Sequence, residues 1–307
     1  MAETQPLLPR ELWDTHHHIF DRVSFPYSPS RHITPPPATI ESYEEFKQGL
    51  GITKFILVQG LSYGDDTTSL KAFFNGLGEA SPSAIGVIDP ERISDDELHD
   101  LNQHGVKGIR INLYQYRAMQ DAELQQQAIS THLQRIVAAD LPWTTTMTTV
   151  RTGSWDVLEP LIRDKMAPTR RLMINDHFAL LKARSMLSQE YRDDPSSQPG
   201  FQAVVRLVRD GHIAIKLSAP YRVSILAPHY EDAKFLVRTF VDANNHQVVW
   251  GSDWPHTPQM KASHDDGQKE ASFLHIDDAA WLQSLKAWLS DEEWDLVMRK
   301  NLERVFR

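Results

Sequence analysis

Three histidines stand in a row in WDTHHHIFD, residues 13–21. Along a strand, side chains alternate between two faces, so His16 and His18 would share one face and His17 would take the other. Two imidazoles at i and i+2 can meet one metal ion or one substrate oxygen. Further along, GIRIN carries Arg110 and Asn112 on one face, with Tyr114 and Arg117 just beyond. NDHF carries Asp176 and His177, PYR carries Tyr221 and Arg222, and WGSDWPH carries Asp253 and His256. Arg110 sits in an apolar setting, where a guanidinium needs an anionic partner. Singly, most of these have a plain reading: a lone histidine at a strand end is ordinarily a packing residue, and Asp253 could cap a helix. Their weight comes from falling together at the same end of a series of predicted strands.

Eight short β-rich runs are predicted: Leu12–Phe20, Lys54–Gly60, Ser83–Asp89, Val106–Tyr114, Pro142–Thr149, Arg171–Phe178, His212–Ser218 and Gln247–Pro255. Between and after them lie helical patterns at Thr39–Leu50, Ser94–His104, Ala122–Ala139, Ser154–Lys165, Phe201–Arg209, Glu231–Asn244, Ala279–Leu289 and Glu292–Val305. Gly51 stands where a helix C-cap favours glycine, and Ser94 with Glu97 reads as a capping box. This alternation implies an α/β fold with a parallel sheet, and the count favours one (β/α)8 TIM barrel spanning residues 1–307, with 1–11 as an N-terminal extension. In such a barrel the active site is built where the strands end, on the C-terminal face. Two long irregular stretches, Asp21–Ala38 and Thr257–Ile276, follow the first and eighth strands and so belong to that face. Tyr27, Arg31 and His32 lie on the first of them, which reads as a proline-held lid. A third stretch, Arg192–Gly200, reads as a surface excursion.

Composition narrows the function classes. The chain has 307 residues, no cysteine and a formal net charge of -9. Thiolate metal sites and thiol catalysis are therefore excluded, and general nucleic-acid binding is disfavoured. There is no signal-like N-terminus and no apolar run of membrane-spanning length. The expectation is a cytoplasmic enzyme with a small-molecule partner; oligomeric state is not legible.

With the strand ends in view, the chain resembles the amidohydrolase superfamily. DTHHH fits its Asp-x-His-x-His signature at Asp14, His16 and His18, and WGSDWPH looks like the eighth-strand signature of the amidohydrolase-2 branch. Together with GIRIN, NDHF and IKLSAPYR, the set is similar to a lactonase group that includes pyrone-dicarboxylate and sugar lactonases. The closing RKNLERVF is a looser match, since Leu302 stands where the group usually has proline. Metal-rich members place a carboxylated lysine or a glutamate on strand four and histidines on strands five and six. Here strand four has Arg110, strand five (PWTTTMTT) has no such ligand, and only His177 on strand six matches. A two-metal site is disfavoured. The resemblance to a metal-free pyrone lactonase, and the arginine beside the site, favour no cofactor. The alternative is one zinc held among His16, His18, His177 and Asp253.

The resemblance implies hydrolysis of a lactone or related cyclic ester bearing an anionic group. Asp253 would be the general base for water, and His16, His18 and His177 would polarise the carbonyl. Arg110 and Arg222, with Arg117, would bind carboxylate through planar forks. Tyr27, Tyr114, Tyr221 and His256 are further contact candidates. The nearest alternative is a metal-dependent non-oxidative decarboxylase of the same branch. A zinc-dependent deaminase or amidase ranks lower, for want of a histidine on strand five, and a non-catalytic barrel that binds a small acid is the alternative from another class.

Overall fold

The structure is a computed structural model that describes residues 11–78, 83–148, 152–258 and 267–306. Eight strands form one parallel sheet in the order β1 to β8. They are β1 (Leu12–His17), β2 (Ile52–Val58), β3 (Ser83–Gly86), β4 (Val106–Arg110), β5 (Thr144–Met147), β6 (Met173–Asn175), β7 (Ile213–Leu217) and β8 (Val248–Trp250). All but β2, which starts two residues ahead of its run, are shorter than their β-rich runs, because the last residues of each run leave the ladder and turn toward the rim. The predicted end of the fifth run, Thr149, lies outside the described residues. The sheet closes through hydrogen bonds beyond the strand ends: Asp253 N donates to His16 O at 2.7 Å and His18 N to Trp254 O at 2.9 Å. Gly251 permits that closure, since a Cβ there would lie 2.8 Å from His16 Cβ. The result is the TIM-barrel arrangement that the strand count implies.

Helices α1 (Ile40–Leu50), α2 (Thr67–Leu77), α3 (Asp95–Gln103), α4 (Ala122–Ala138), α5 (Ser154–Leu161), α6 (Phe201–Arg209), α7 (Lys234–Asn244) and α8 (Asp278–Trp288) follow the strands in turn. Thr39 and Gly51 cap α1, with Gly51 at φ 74°, and Ser94 with Glu97 forms the expected capping box on α3. Helix α2 is a correction: TTSLKAFFNGL has no sequence-level helix reading, and its Gly76 hides the pattern. Asp66 caps it, and burial of Leu70, Phe73 and Leu77 against the sheet holds it. The segment 177–200 is a second correction. Four single turns of 3-10 helix fill it, so a third long loop, after β6, joins those after β1 and β8.

The N-terminal mouth of the barrel is plugged from below. The chain ends in α9 (Asp291–Asp295), a π-helical turn at Leu296–Lys300 and α10 (Asn301–Val305). Phe306 packs on Trp13, Val249 and Leu302, on Ile56, Val58 and Ile85, and on Ile174 and Ala214. Asn301 fixes this plug by donating to Asn245 O at 2.7 Å and to Val248 O at 2.8 Å. That accounts for the asparagine of the closing motif without the proline, since Leu302 supplies buried packing instead.

Candidate active site

The first strand does not alternate simply. Asp14 pairs with Phe55 and His17 with Leu57, so three residues on β1 span two on β2. This bulge turns both Asp14 and His17 outward, while His16 and His18 point inward with their Nε2 atoms 3.2 Å apart. His17 stacks on Tyr43 of α1 at 3.9 Å between ring centres, in the helix layer. Asp14 accepts from Ser252 N at 2.8 Å, Ser252 Oγ at 2.6 Å, His16 N at 3.0 Å and Tyr43 OH at 3.1 Å. It thereby ties the first strand to the turn that carries Asp253. Burial pushes its carboxyl up to about 6 against the pull of those donors.

Asp253 is at the centre of the inner cluster. Its backbone is left-handed, at φ 63°, which aims the side chain back over the barrel axis. One oxygen, Oδ2, is engaged by Tyr221 OH at 2.7 Å and Arg222 Nη2 at 3.3 Å. The other, Oδ1, faces His16 Nε2 at 3.4 Å and the Nε2 atoms of His18 and His177, each at 3.8 Å. Burial alone would raise the Asp253 carboxyl. His177, Arg222, His16 and His18, gathered around it, more than reverse that and hold it well below the usual carboxylate range.

Each histidine is buried, and burial lowers its affinity for a second proton. His177 falls to about 3, and His16 and His18 are lowered too, His18 with the help of Arg110. The imidazoles are therefore neutral, and their partners decide where the single proton sits. His18 Nδ1 lies 2.7 Å from Val58 O, which can only accept, so His18 presents a lone pair at Nε2. His177 Nδ1 lies 3.1 Å from Ser218 Oγ, a group able to donate or accept. His177 opens a run of four left-handed residues, His177–Leu180, with φ of 53–59°. Left-handed backbone costs roughly 1–2 kcal/mol per residue outside glycine, and strain of that kind collects at functional sites.

Arg110 extends from the end of β4, with Nη1 3.5 Å from His18 Nε2 and 3.4 Å from Gln59 O. Arg222 is held by Thr257 O at 2.9 Å and Thr257 Oγ1 at 3.1 Å, and its buried Nε has no partner among the described residues. Tyr114 lies over this region with His32 of the lid stacked on it at 3.8 Å. Bonds from Thr34 Oγ1 to Gly267 O and from Arg31 Nη2 to Gln268 Oε1 fasten the lid to the loop after β8.

Not every sequence candidate joins the cluster. Arg117 is exposed on the loop after β4, and its side chain has no ion pair among the described residues. Tyr27 belongs to the lid packing, with its OH on Pro35 O at 3.2 Å and its ring on Tyr63. His256 backs Tyr221 edge-on, and its Nε2 lies 3.1 Å from Asp278 Oδ2 at the start of α8.

An amidohydrolase family model matches residues 13–307. The chain belongs to the amidohydrolase family. This amidohydrolase is 28% identical over 305 residues to 4-sulfomuconolactone hydrolase of Hydrogenophaga intermedia, covering 98% of this chain and 90% of that protein. It is 25% identical over 301 residues to 2-pyrone-4,6-dicarboxylate hydrolase of Comamonas testosteroni, covering 92% and 89%. An apo crystal structure from Agrobacterium tumefaciens shares the fold, with a TM-score of 0.75 at 22% identity over 98% of this chain and 97% of that one. The protein is accordingly an enzyme, a hydrolase of this family. No helix of the described residues is long and apolar enough to cross a membrane.

One residue central to the amidohydrolase site, Lys216, was missed in the sequence, and Asp176, noted at the end of the sixth strand, was given no role there. Lys216, midway along β7, is fully buried and sits 3.1 Å from Asp176 Oδ1 and 3.4 Å from His16 Nδ1. Asp176, equally buried, also approaches His16 Nδ1 at 3.2 Å and Arg110 Nη2 at 3.9 Å, and accepts from Thr148 Oγ1 at 3.1 Å. Burial would raise the Asp176 carboxyl, but Lys216, His16 and Arg110 hold it well below the usual range. The signal was present: a lysine in the apolar run IAIKL demands a buried anion just as Arg110 does, and Asp176 is that anion.

Among the described residues, two side-chain groups have donors close enough to hold an ion: His16, His18 and Asp253, and His16, Asp176 and His177. The spacing suits a tetrahedral ion, but the charges do not. Arg110, Arg222 and Lys216 already outnumber Asp176 and Asp253. Behind His16 Nδ1 stand both Asp176, the kind of acceptor that ligating histidines use, at 3.2 Å and the Lys216 donor at 3.4 Å.

Proposed function

We propose that this enzyme hydrolyses a lactone, or a related cyclic ester, that bears an anionic group, and that it does so without a metal ion. The observation that carries the reading is the division of labour on Asp253: Oδ2 is tied to Tyr221 and Arg222, and Oδ1 faces three imidazole nitrogens. The names of both relatives describe hydrolases of a lactone or pyrone with sulfo or carboxylate groups.

A water bound at Oδ1 attacks the ring carbonyl carbon while Asp253 takes its proton. His16 and His177, each with a proton on Nε2, donate to the carbonyl oxygen as negative charge develops there. His18 has its proton on Nδ1, so its Nε2 accepts, from the incoming water or from Arg110. The ring C–O bond then breaks, and the protonated Asp253 returns its proton to the leaving oxygen. Arg110 and the unpartnered Nε of Arg222 receive the substrate's anionic group. Tyr114 and His32 close over it from the lid side.

The test is a pH-indicator assay of acid release from carboxylated and sulfonated lactones, with CO2 measured in parallel. One proton per ring opened, lost in Asp253→Asn, is the expected result. CO2 release without lactone hydrolysis would replace this reading with the decarboxylase.

A further inference from the structure

The buried trio of Lys216, Asp176 and His16 lies behind the reacting groups, and the hydrolytic mechanism assigns two of its members no step. Lys216 Nζ is 3.1 Å from Asp176 Oδ1 and 3.4 Å from His16 Nδ1, while Asp176 Oδ1 is 3.2 Å from the same His16 nitrogen. An ammonium can only donate, and a carboxylate can only accept. Both therefore compete for His16 Nδ1, and they ask opposite things of it.

Where Asp176 accepts from Nδ1–H, His16 shows a lone pair at Nε2, as a metal ligand must, with a carboxylate behind it in the manner of zinc-binding histidines. Where Lys216 donates to Nδ1, the proton moves to Nε2, and His16 is a donor to a substrate oxygen. Asp176 Oδ1 is drawn toward Lys216, and Lys216 also places a cation one imidazole away from any ion the cluster could take. We infer that Lys216 excludes divalent metal from this site and thereby keeps His16 a hydrogen-bond donor. Lys216 is a positioning residue, since it acts through His16 and touches no reacting atom. The inference rests on the metal-independent reading of the reaction.

The ligands for an ion are otherwise in place. The Nε2 atoms of His16 and His18 are 3.2 Å apart, Asp253 Oδ1 is 3.4 Å from the first, and His18 has the correct tautomer because Val58 O holds its Nδ1–H. A single residue on β7 therefore decides between two chemistries of one donor set.

The experiment is equilibrium dialysis of the metal-stripped full chain against buffered free zinc, with bound zinc read by elemental analysis. Lys216→Met is compared with wild type and with Lys216→Arg, which keeps the charge. Because Lys216→Met leaves Asp176 unpaired in the interior, the double variant Lys216→Met/Asp176→Asn is included, and thermal melts establish that each variant folds. The neutral variants are expected to take up about one zinc per chain at a free concentration at least tenfold below that needed by wild type, within the roughly 10–100-fold range that outer partners of ligating histidines carry. Lys216→Arg is expected to behave like wild type, and adding His18→Gln to the neutral variants should abolish uptake. Equal zinc affinity in wild type and a folded neutral variant overturns the inference. If that equality comes with full lactone hydrolysis by the metal-free wild type, the functional reading survives and only the role of Lys216 falls. If wild type binds zinc tightly and hydrolyses only with it, both fall.

Discussion

At the N-terminal mouth of the barrel, Phe306 fills the opening against apolar side chains from strands β1, β2, β3, β6, β7 and β8. At the C-terminal mouth the same sheet presents Lys216, Asp176, Arg110, three histidines and Asp253, each buried and each dependent on a partner of opposite kind. Strand β7 shows the change within two residues, from Ala214 in the plug to Lys216 in the charged layer. The apolar end needs only area and shape, so it tolerates exchange of one hydrophobe for another. The charged end needs each group, because removing one leaves another unpaired in a medium that punishes isolated charge. It also carries the left-handed backbone of His177–Leu180 and Asp253, while stability is supplied from below.

Substitutions at the two mouths should separate activity from stability. The largest effect is expected from Asp253→Asn, with a loss of kcat on the order of a thousandfold, about 4 kcal/mol in the barrier. An unchanged kcat would remove Asp253 from the mechanism. Arg222→Gln should raise KM for anionic lactones and lower kcat/KM about a hundredfold, with a far smaller effect on an uncharged lactone. Equal losses on both substrates would show that Arg222 serves Asp253 rather than the anion. Phe306→Ala, at the opposite mouth, should cost roughly 2–3 kcal/mol of stability in denaturant titration and leave KM unaltered. A changed KM would mean that the two mouths are not independent. Tyr221→Phe removes one of the bonds on Asp253 Oδ2 and should lower kcat about tenfold, near 1.4 kcal/mol.

The smallest expected effect is that of acidity. Asp253 stays ionised, and His177 stays neutral until about pH 3, so neither should place a limb on kcat/KM between neutral pH and about pH 5, the window in which Asp14, raised to about 6, titrates. Activity falling as pH rises through about 6–7 would point to a histidine that must be protonated, and would sink the neutral-imidazole mechanism. The same shifts have a sign for stability. Carboxyls lowered on folding stabilise above their unfolded value near 3.9, so the contributions of Asp253 and Asp176 are complete at neutral pH and fade only as pH falls below about 4.

The sheet was legible because its eight β-rich runs are separated by capped helical patterns, and local chemistry marks such boundaries. Helix α2 escaped because its stability comes from Leu70, Phe73 and Leu77 on the sheet, which no local signal records. In the site, His16, His18, His177, Arg110, Arg222 and Asp253 were legible as polar residues at strand ends. Lys216 was not, and Asp176 stood among them without a role, since the significance of both is a 3.1 Å contact between β7 and the end of β6, 40 residues apart. Arg117 had the right residue type near the right strand, yet the turn after β4 leaves it exposed.

What the sequence by itself determined is the kind of machine: alternating strands and helices, polar groups at the strand ends, no thiol, and the two motifs that mark the family. Those properties are local, set by residue type and spacing along the chain. Tertiary structure alone decided which oxygen of Asp253 is tied to Tyr221 and Arg222, that a bulge turns Asp14 and His17 away from the site, and which nitrogen of His18 holds its proton. Each of these depends on a partner brought from a distant strand, and a proton's position between two nitrogens follows from what stands beside them.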